Sequence, residues 1–195
     1  MKPIYLASAS PRRKELLKQL IGDNFEITKS NFEEKNNLDR SPYDLAIYNA
    51  VGKARDAASS LSKGIIISAD TFITFDNKIL GKPYTTQTAK QFLKQISSQE
   101  IQVLTGYTVL DAETNQEIKD CEKTVVKIAE LTEWFIDSYV ATGEPLDKAG
   151  GFGIQEKWAV LVEKINGCYF NVVGLPLNGL NKALNKLGID IFEYE

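Results

Sequence analysis

Histidine is absent from this 195-residue chain, and that absence removes several common mechanisms of hydrolysis. Triads and dyads that use histidine as the general base are excluded, as is every metal site with an imidazole ligand. Hydrolysis would have to use carboxylates, lysines, arginines, hydroxyls or a cation bound through oxygen ligands. Such a cation would be a hard one, of the magnesium or manganese kind.

Cysteine is scarce, and no apolar stretch is long enough to span a membrane. The two cysteines, Cys121 and Cys168, are far apart in the sequence and form no CxxC pair. A disulfide framework or a zinc site is therefore not expected. No apolar run approaches the roughly 20 residues needed to cross a bilayer, and the N-terminus makes a poor signal peptide. We expect a cytoplasmic protein without a membrane partner.

An excess of basic residues is also lacking, since the net charge is −3 and the pI is about 5.2. A protein that coats nucleic acid normally carries a basic face or stripe, so we expect no nucleic-acid polymer as a partner. Positive charge occurs instead in small groups, such as Arg12 with Arg13. This distribution suits a small anionic ligand better than a polymer.

The order of predicted elements indicates an α/β fold. Helices are predicted to begin at Ser10 and Ser41, each followed by a proline, because serine caps helices and proline is tolerated at their first position. The β-branched run at 64–69 predicts a buried central strand, and Asn166-Gly167 predicts a hairpin turn. No linker or repeat divides the chain. We expect one domain with a mixed sheet flanked by helices.

Asp70 is the main candidate for a catalytic group. It directly follows the predicted buried strand, and ligands of α/β proteins usually bind at the carboxyl ends of strands. An aspartate there can hold a cation or activate water. A turn or a helix cap is the alternative, but no clear helix follows Thr71, so capping explains Asp70 less well.

Several cationic side chains are candidates for binding phosphate. Arg12 and Arg13 lie in the first turn of a helix, whose N-terminus attracts anions; an ordinary helix start with solvated arginines is the alternative. Lys53 falls on the small-residue face of the second helix, where it needs an anionic partner or reaches solvent from the edge. Lys82 lies in a stiff turn before Pro83, although loop lysines are abundant.

Two loops carry further polar candidates. Glu33 and Glu34 could contribute a carboxylate to a metal, and a solvated pair of charges is the alternative. The glycine-rich segment 147–155 could close on a nucleobase, with Gln155 pairing to a base edge through its donor and acceptor. Neither a Rossmann GxGxxG pattern nor a P-loop is present.

Five segments together resemble the successive motifs of the Maf-like protein family. They are LASASPRRKELL (6–17), SADT (68–71), LGKP (80–83), DKAGGFGIQ (147–155) and NVVGLPL (171–177), with EEK (33–35) and a KA pair (53–54) at further family positions. They occur in the family's order and spacing across nearly the whole chain. The resemblance implies one domain over residues 1–195, with a twisted mixed sheet and a nucleotide-binding cleft between two lobes, as in inosine triphosphatases.

The resemblance also implies a nucleoside-triphosphate pyrophosphatase, which cleaves between the α- and β-phosphates and uses Mg²⁺ or Mn²⁺. In the implied site Asp70 is the proton acceptor, and Lys53 and Lys82 are catalytic lysines that face the phosphates, as Ser8 and Arg13 also do. The residues implied to select the base are Arg12, Thr71 and Gln155, and the implied metal ligands are Glu33 and Asp70. A homodimer is what the family suggests.

The GIQ ending of the glycine-rich segment is similar to the family branch that acts on dTTP and UTP. Two residues depart from the pattern: Ser68 stands where glycine or alanine is frequent, and Glu156 where glycine often follows the glutamine. A 7-methyl-GTP pyrophosphatase, or an enzyme for modified nucleotides, is the alternative within the same chemistry. A nucleotide-binding regulator of septum formation with little turnover is the alternative of another class.

Overall fold

The computed structural model describes residues 1–36, 38–147, 153–155 and 157–194. The helices are α1 (Pro11–Ile21), α2 (Pro42–Ala58), α3 (Thr86–Ile96), α4 (Glu133–Ala141), α5 (Tyr169–Val173) and α6 (Leu177–Lys186). The strands are β1 (Ile4–Leu6), β2 (Glu26–Ile27), β3 (Ile65–Phe75), β4 (Lys78–Ile79), β5 (Glu100–Asp111), β6 (Glu117–Ile128) and β7 (Val162–Asn166). None of these described helices combines the length and the apolar character needed to cross a membrane.

Seven strands of the described part of the chain form one mixed sheet. Their order is β2-β1-β3-β5-β6-β7, and β4 pairs with β3. β2, β1 and β3 are parallel, whereas all other neighbours in the sheet are antiparallel. α2 packs on β3 and β5, and α5 and α6 contact β5 and β6. The predicted α/β fold with a mixed sheet flanked by helices is confirmed.

Local signals in the sequence account for several boundaries. α2 begins after Ser41, whose hydroxyl accepts a hydrogen bond from the N–H of Asp44 at 3.1 Å, and Pro42 takes the first helical position. Between β3 and β4 the chain reverses at Asp76 and Asn77, which have φ values of 48° and 59°. Two consecutive residues with positive φ suit the twist of a two-residue hairpin, and Asn tolerates this conformation.

The two faces of β3 contribute to different parts of the core. Ile65 and Ile67 belong to the large apolar cluster that also contains side chains of α1, α3 and α6. Ile66 and Phe72 belong to two smaller clusters with α2. Since side chains alternate along a strand, Asp70 faces α2, as Ile66 and Phe72 do.

The central strand is longer than predicted, and this corrects the position of Asp70. Asp70 lies in the middle of β3 and not after its end. β1 pairs with β3 only as far as Ile67, whereas β5 pairs with it as far as Thr74. Pairing with a long neighbour thus outweighs the weak strand propensity of aspartate. Between the pairing with β1, which ends at Ile67, and the pairing with β4, which begins at Thr74, this edge of β3 has no neighbouring strand among the described residues.

The hairpin predicted at Asn166-Gly167 is wrong, because β7 ends there and is followed by α5. Thr124 of β6 binds the backbone just after this turn. Its hydroxyl accepts a hydrogen bond from the N–H of Cys168 at 3.0 Å and donates one to the Cys168 carbonyl at 3.2 Å. The Asn171 amide of α5 then donates to the same hydroxyl at 2.9 Å. These contacts between distant residues override the local turn signal.

Gly106 of β5 allows α2 to lie directly on the sheet. A Cβ atom at this position would overlap the backbone of Ala46 in α2. Gly106 is also the residue of β5 that pairs with Asp70. A buried hydrogen bond of 2.6 Å from the Ser68 hydroxyl to the Ala50 carbonyl joins α2 to β3 beside this contact. The close approach brings polar side chains of α2 within reach of Asp70.

Candidate active site

Asp70 is buried, and both oxygens of its carboxylate are held by side chains of α2. Lys53 Nζ lies 2.9 Å from Oδ1, and Asn49 Nδ2 donates to Oδ2 at 2.8 Å. Asp70 and Lys53 are only 6% and 8% exposed. Residues four apart on a helix share one face, so Asn49 and Lys53 reach the same carboxylate. The anionic partner expected for Lys53 is therefore a carboxylate of the protein itself.

Lys53 also contacts a second carboxylate, that of Glu34, whose Oε1 lies 2.5 Å from Lys53 Nζ. The side chain of Glu33, the glutamate implied by the family resemblance, is 84% exposed and pairs with Lys35. That hydrogen-bonded ion pair lowers the pKa of Glu33. Of the two adjacent glutamates, Glu34 is thus the one beside Asp70.

Arg13 is held by three groups of the protein. Its Nε donates to the Gly174 carbonyl at 2.8 Å, and its two terminal nitrogens donate to Ser8 Oγ at 3.3 Å and Thr71 Oγ1 at 2.9 Å. Burial lowers the pKa of Arg13, and nearby carboxylates, chiefly Asp70, oppose that effect. The guanidinium therefore ties the start of α1 to β3 and to the segment after α5.

Thr71 continues this network on the opposite face of the sheet from Asp70. Its hydroxyl lies 3.0 Å from the hydroxyl of Thr105 in β5, which donates to the Asn171 carbonyl at 3.1 Å. Both Thr105 and Asn171 are fully buried. The chain of contacts fixes α5 against β3 and β5 close to Arg13.

A cavity of about 250 Å³, here called the Asp70 cavity, lies at the open edge of β3. Asp70 and Thr71 both line it, although their side chains start on opposite faces of the sheet. The polar lining comprises Ser10, Arg12, Arg13, Glu34, Asp70, Thr71 and Lys82, and the apolar lining Ile73, Val103, Ile154, Val172 and Val173. Five of the predicted site residues are thus gathered around one cavity.

A second cavity of about 550 Å³, here called the Phe32 cavity, shares Ser10, Arg13 and Glu34 with the first. Ser8 and Lys53, two further predicted residues, line it. The Phe32 ring contacts the Tyr48 ring edge-on, with 5.9 Å between centroids. The two cavities therefore meet around Arg13 and Glu34.

The glycine-rich segment contributes to the Asp70 cavity through the part that the structure describes. Gly153 and Ile154 line the cavity, and Gln155, which follows them, is exposed. The remaining glycines of this segment and Glu156 lie outside the described residues.

A family model described as Maf-like protein matches residues 3–187. The chain belongs to the Maf-like family. A dTTP/UTP pyrophosphatase of Methanosarcina mazei is 51% identical over 193 residues, which cover 99% of this chain and 98% of that protein. A dTTP/UTP pyrophosphatase of Clostridium botulinum is 45% identical over 195 residues, covering 98% of this chain and all of that protein.

A solved structure of a HAM1 protein from Coxiella burnetii shares the fold of this Maf-like chain. The TM-score is 0.53 at 16% sequence identity, and the match covers 96% of this chain and 99% of that one. The similarity concerns the arrangement of the sheet and helices.

A larger cavity, of about 830 Å³, lies along the outer side of α2 in this Maf-like chain. Tyr48, Val51 and Arg55 line it together with Arg40 and other side chains. None of the residues predicted as site residues lines it. Size alone would favour this larger cavity, whereas the buried carboxylate and the gathered cationic side chains make the Asp70 cavity the candidate site.

The described residues of this Maf-like site supply a small number of carboxylates that could bind a metal ion. Within the described residues, no three acidic or cysteine side chains come together as a ligand set. Among the described residues, two carboxylates line the Asp70 cavity, those of Asp70 and Glu34. Magnesium is commonly held by one or two carboxylates together with water and substrate phosphates, so this pair fits such an ion.

Sequence reasoning missed Asn49 and Gly106. Asn49 lies on the alanine face of α2, four residues before Lys53. Burial of an unpaired amide is costly, so the argument applied to Lys53 would have identified Asn49 as well. Gly106 carries no such signal, since its importance depends on which strand pairs with β3.

Proposed function

We propose that this Maf-like protein hydrolyses dTTP and UTP to the monophosphate and pyrophosphate. The relatives at 51% and 45% identity are named for this activity. The observation that carries the proposal is the buried Asp70 carboxylate, which Lys53 and Asn49 hold within a cavity lined by Arg12 and Lys82. A carboxylate base beside convergent cationic groups is what hydrolysis of a polyphosphate without histidine requires.

In the proposed reaction Asp70 is the proton acceptor. The oxygen of a water molecule bonds to the α-phosphorus, its proton passes to Asp70, and the bond from the α-phosphorus to the bridging oxygen breaks. Pyrophosphate leaves with the electron pair of that bond. Each Asp70 oxygen retains acceptor capacity beyond the hydrogen bond that it already accepts. Lys53 and Asn49 hold the carboxylate in a fixed orientation for this transfer.

The polyphosphate is proposed to bind beside the N-terminus of α1. No acidic residue occurs in the first turn of this helix, and the dipole of a helix favours an anion at its N-terminus. Arg12 and Lys82 supply positive charge toward the Asp70 cavity and stabilise charge on the leaving pyrophosphate. Because three protein groups hold Arg13, its proposed part is to shape the phosphate site with Ser8.

Base selection is proposed to depend on Arg12, Thr71 and Gln155. Gln155 follows the cavity-lining Ile154 and offers both a donor and an acceptor to a pyrimidine edge. The Thr71 hydroxyl is engaged with Arg13 and Thr105. Thr71 would therefore act mainly through the shape of the pocket.

A divalent cation, Mg²⁺ or Mn²⁺, is the proposed cofactor. Asp70 and Glu34 are the residues that would hold it, and Glu33 lies farther out in solvent. When bound, the cation would neutralise charge on the phosphate oxygens. The single domain over residues 1–195, the homodimer and the cytoplasmic location remain predictions.

The experiment is a screen for pyrophosphate release across canonical triphosphates, 7-methyl-GTP and modified pyrimidine triphosphates, with Mg²⁺ or Mn²⁺. Separate assays for phosphate and pyrophosphate distinguish cleavage after the α-phosphate from cleavage of the terminal phosphate. We expect pyrophosphate from dTTP and UTP, and none from Asp70→Asn. A preference for 7-methyl-GTP would replace the proposed substrates. Tight nucleotide binding without turnover would support a septum-formation regulator.

A further inference from the structure

We propose that Asn49 is a positioning residue, which holds the Asp70 carboxylate and the segment 33–35 in one fixed arrangement. Asn49 is fully buried in α2. Its amide contacts Asp70 on one side and the backbone of Lys35 on the other. The inference rests on the proposed function, because it assigns a role in positioning the proposed proton acceptor.

The hydrogen bonds of Asn49 use both ends of its amide group. Nδ2 donates to Asp70 Oδ2 and to the Lys35 carbonyl, both at 2.8 Å. Oδ1 accepts from the Lys35 N–H at 3.0 Å. Two donors and one acceptor are thus satisfied in a buried setting, and the Lys35 backbone is held at both its polar groups.

Lys53 alone would not fix the orientation of Asp70. A lysine ammonium is a compact charge on a flexible stem, and it could follow the carboxylate as that group turned. The amide of Asn49 is planar and is itself held by the Lys35 backbone. Because this amide is fixed, its hydrogen bond to Asp70 Oδ2 restricts the Asp70 carboxylate to a single orientation.

The same amide determines where Glu34 lies. Glu34 precedes Lys35, whose backbone is bound to Asn49 at both its N–H and its carbonyl. Glu34 Oε1 then reaches Lys53 Nζ, which also contacts Asp70. Asn49 therefore couples the two carboxylates of the Asp70 cavity, although it does not line that cavity itself.

Asparagine meets these requirements at position 49, and neither ionised aspartate nor leucine does. Aspartate has the same shape and could still accept from the Lys35 N–H, but it could not donate to Asp70 and would place a second carboxylate against it. Leucine has a similar size and makes no hydrogen bond, so it would leave the Lys35 backbone and Asp70 Oδ2 without this partner.

The test compares Asn49→Asp, Asn49→Leu and the control Ser68→Ala in pyrophosphate release from dTTP. Ser68 is equally buried between α2 and β3, and its hydroxyl bonds to Ala50 without touching Asp70 or segment 33–35. For both Asn49 variants we expect kcat to fall roughly 10- to 100-fold, as for other residues that orient reactive groups, with KM within about threefold. Ser68→Ala should retain kcat within about twofold.

Amide hydrogen exchange gives a readout that does not depend on activity. In the wild-type protein the Lys35 N–H and the Asn49 Nδ2 protons should be protected. The Lys35 N–H should lose that protection in Asn49→Leu, retain it in part in Asn49→Asp and retain it fully in Ser68→Ala. Wild-type kcat in Asn49→Leu, or equal losses in Asn49→Leu and Ser68→Ala, would overturn the inference.

Failure of the proposed function would look different. A wild-type protein that releases no pyrophosphate from any triphosphate contradicts the activity, and exchange then decides the role of Asn49. Two results would uphold the arrangement. The Lys35 N–H should be protected in the wild type and lose its protection when Asn49 is substituted. The Asn49 Nδ2 protons should be protected in the wild type and lose protection when Asp70 is substituted. Exchange of both at solvent rates would overturn it.

Discussion

Lys53 Nζ lies 2.9 Å from Asp70 Oδ1, in an ion pair that joins α2 to the middle of β3. Both side chains are buried, so little solvent screens the pair. The buried charge of Asp70 depends on Lys53, because removal of Lys53 leaves this carboxylate without its cationic partner. Asp70, the proposed proton acceptor, therefore also stabilises the packing of α2 on the sheet.

Lys53→Met should destabilise the protein markedly. The change leaves Asp70 buried without its cationic partner, and loss of one member of a buried pair costs about 3–5 kcal/mol. For a chain of this size that corresponds to a fall in melting temperature of roughly 6–20 °C. Thermal unfolding followed by circular dichroism measures it.

The double variant Lys53→Met/Asp70→Asn is the control for this interpretation. It removes both charges, and we expect it to regain at least half of the stability lost by Lys53→Met. The contrary outcome is additivity, in which the double variant loses as much free energy of unfolding as Lys53→Met and Asp70→Asn lose together. The two residues would then contribute independently, contrary to the structure.

Asp70→Asn should separate catalysis from binding. The amide cannot accept the proton, and loss of a general base typically lowers the rate roughly 10²- to 10⁴-fold. Affinity for a non-hydrolysable α,β-methylene analogue of dUTP should stay within about threefold. Calorimetry without a divalent cation measures it, because Asp70 is also a proposed ligand of the cation. Equal loss of turnover and affinity in a folded variant would mean that Asp70 mainly builds the site.

Arg13→Lys should cost stability even though the charge is kept. A lysine cannot reproduce three donations from one planar group to Gly174, Ser8 and Thr71. We expect a loss of about 2 kcal/mol in the free energy of unfolding, measured by urea denaturation. Lys14→Met, which removes charge from the exposed neighbour in α1, should stay within about 0.5 kcal/mol of wild type. An Arg13→Lys variant as stable as wild type would show that the three contacts are dispensable.

Features that depend on neighbouring residues can be predicted from the sequence. The starts of α1 at Ser10-Pro11 and of α2 at Ser41-Pro42 are predicted from serine and proline, and both are confirmed. The reversal at Asp76-Asn77 likewise follows from residues that favour turns. The family motifs are contiguous, so the family can be recognised without a structure. Lys53 can be singled out because a charge on an alanine-lined helix face needs a partner.

Features that depend on pairing between distant residues cannot be predicted in this way. β3 continues through Asp70 because β5 pairs with it there. The turn at Asn166-Gly167 does not form a hairpin because Thr124 binds Cys168. No local pattern tells Glu33 from Glu34, and their placement follows from the contact of Asn49 with Lys35.

Gly106→Ala should harm both stability and activity. Its Cβ would overlap the backbone of Ala46, which can move only if α2 shifts away from the sheet. Overpacking of this kind typically costs about 1–3 kcal/mol. The same shift draws Asn49 and Lys53 away from Asp70, so pyrophosphate release should fall more than the fraction of folded protein. Urea denaturation and activity at a temperature where the variant is fully folded separate the two effects.

Gly52→Ala is the matched comparison, because the three atoms that its Cβ would meet most closely all belong to the Phe32 ring. A side chain can rotate, so the stability cost should be smaller than for Gly106→Ala. The displaced ring would change the Phe32 cavity and leave the contacts of Asp70 in place. KM should therefore rise while kcat is largely retained. The opposite pattern, with kcat reduced by Gly52→Ala and untouched by Gly106→Ala, would contradict the view that the closeness of α2 to β5 positions the Asp70 carboxylate.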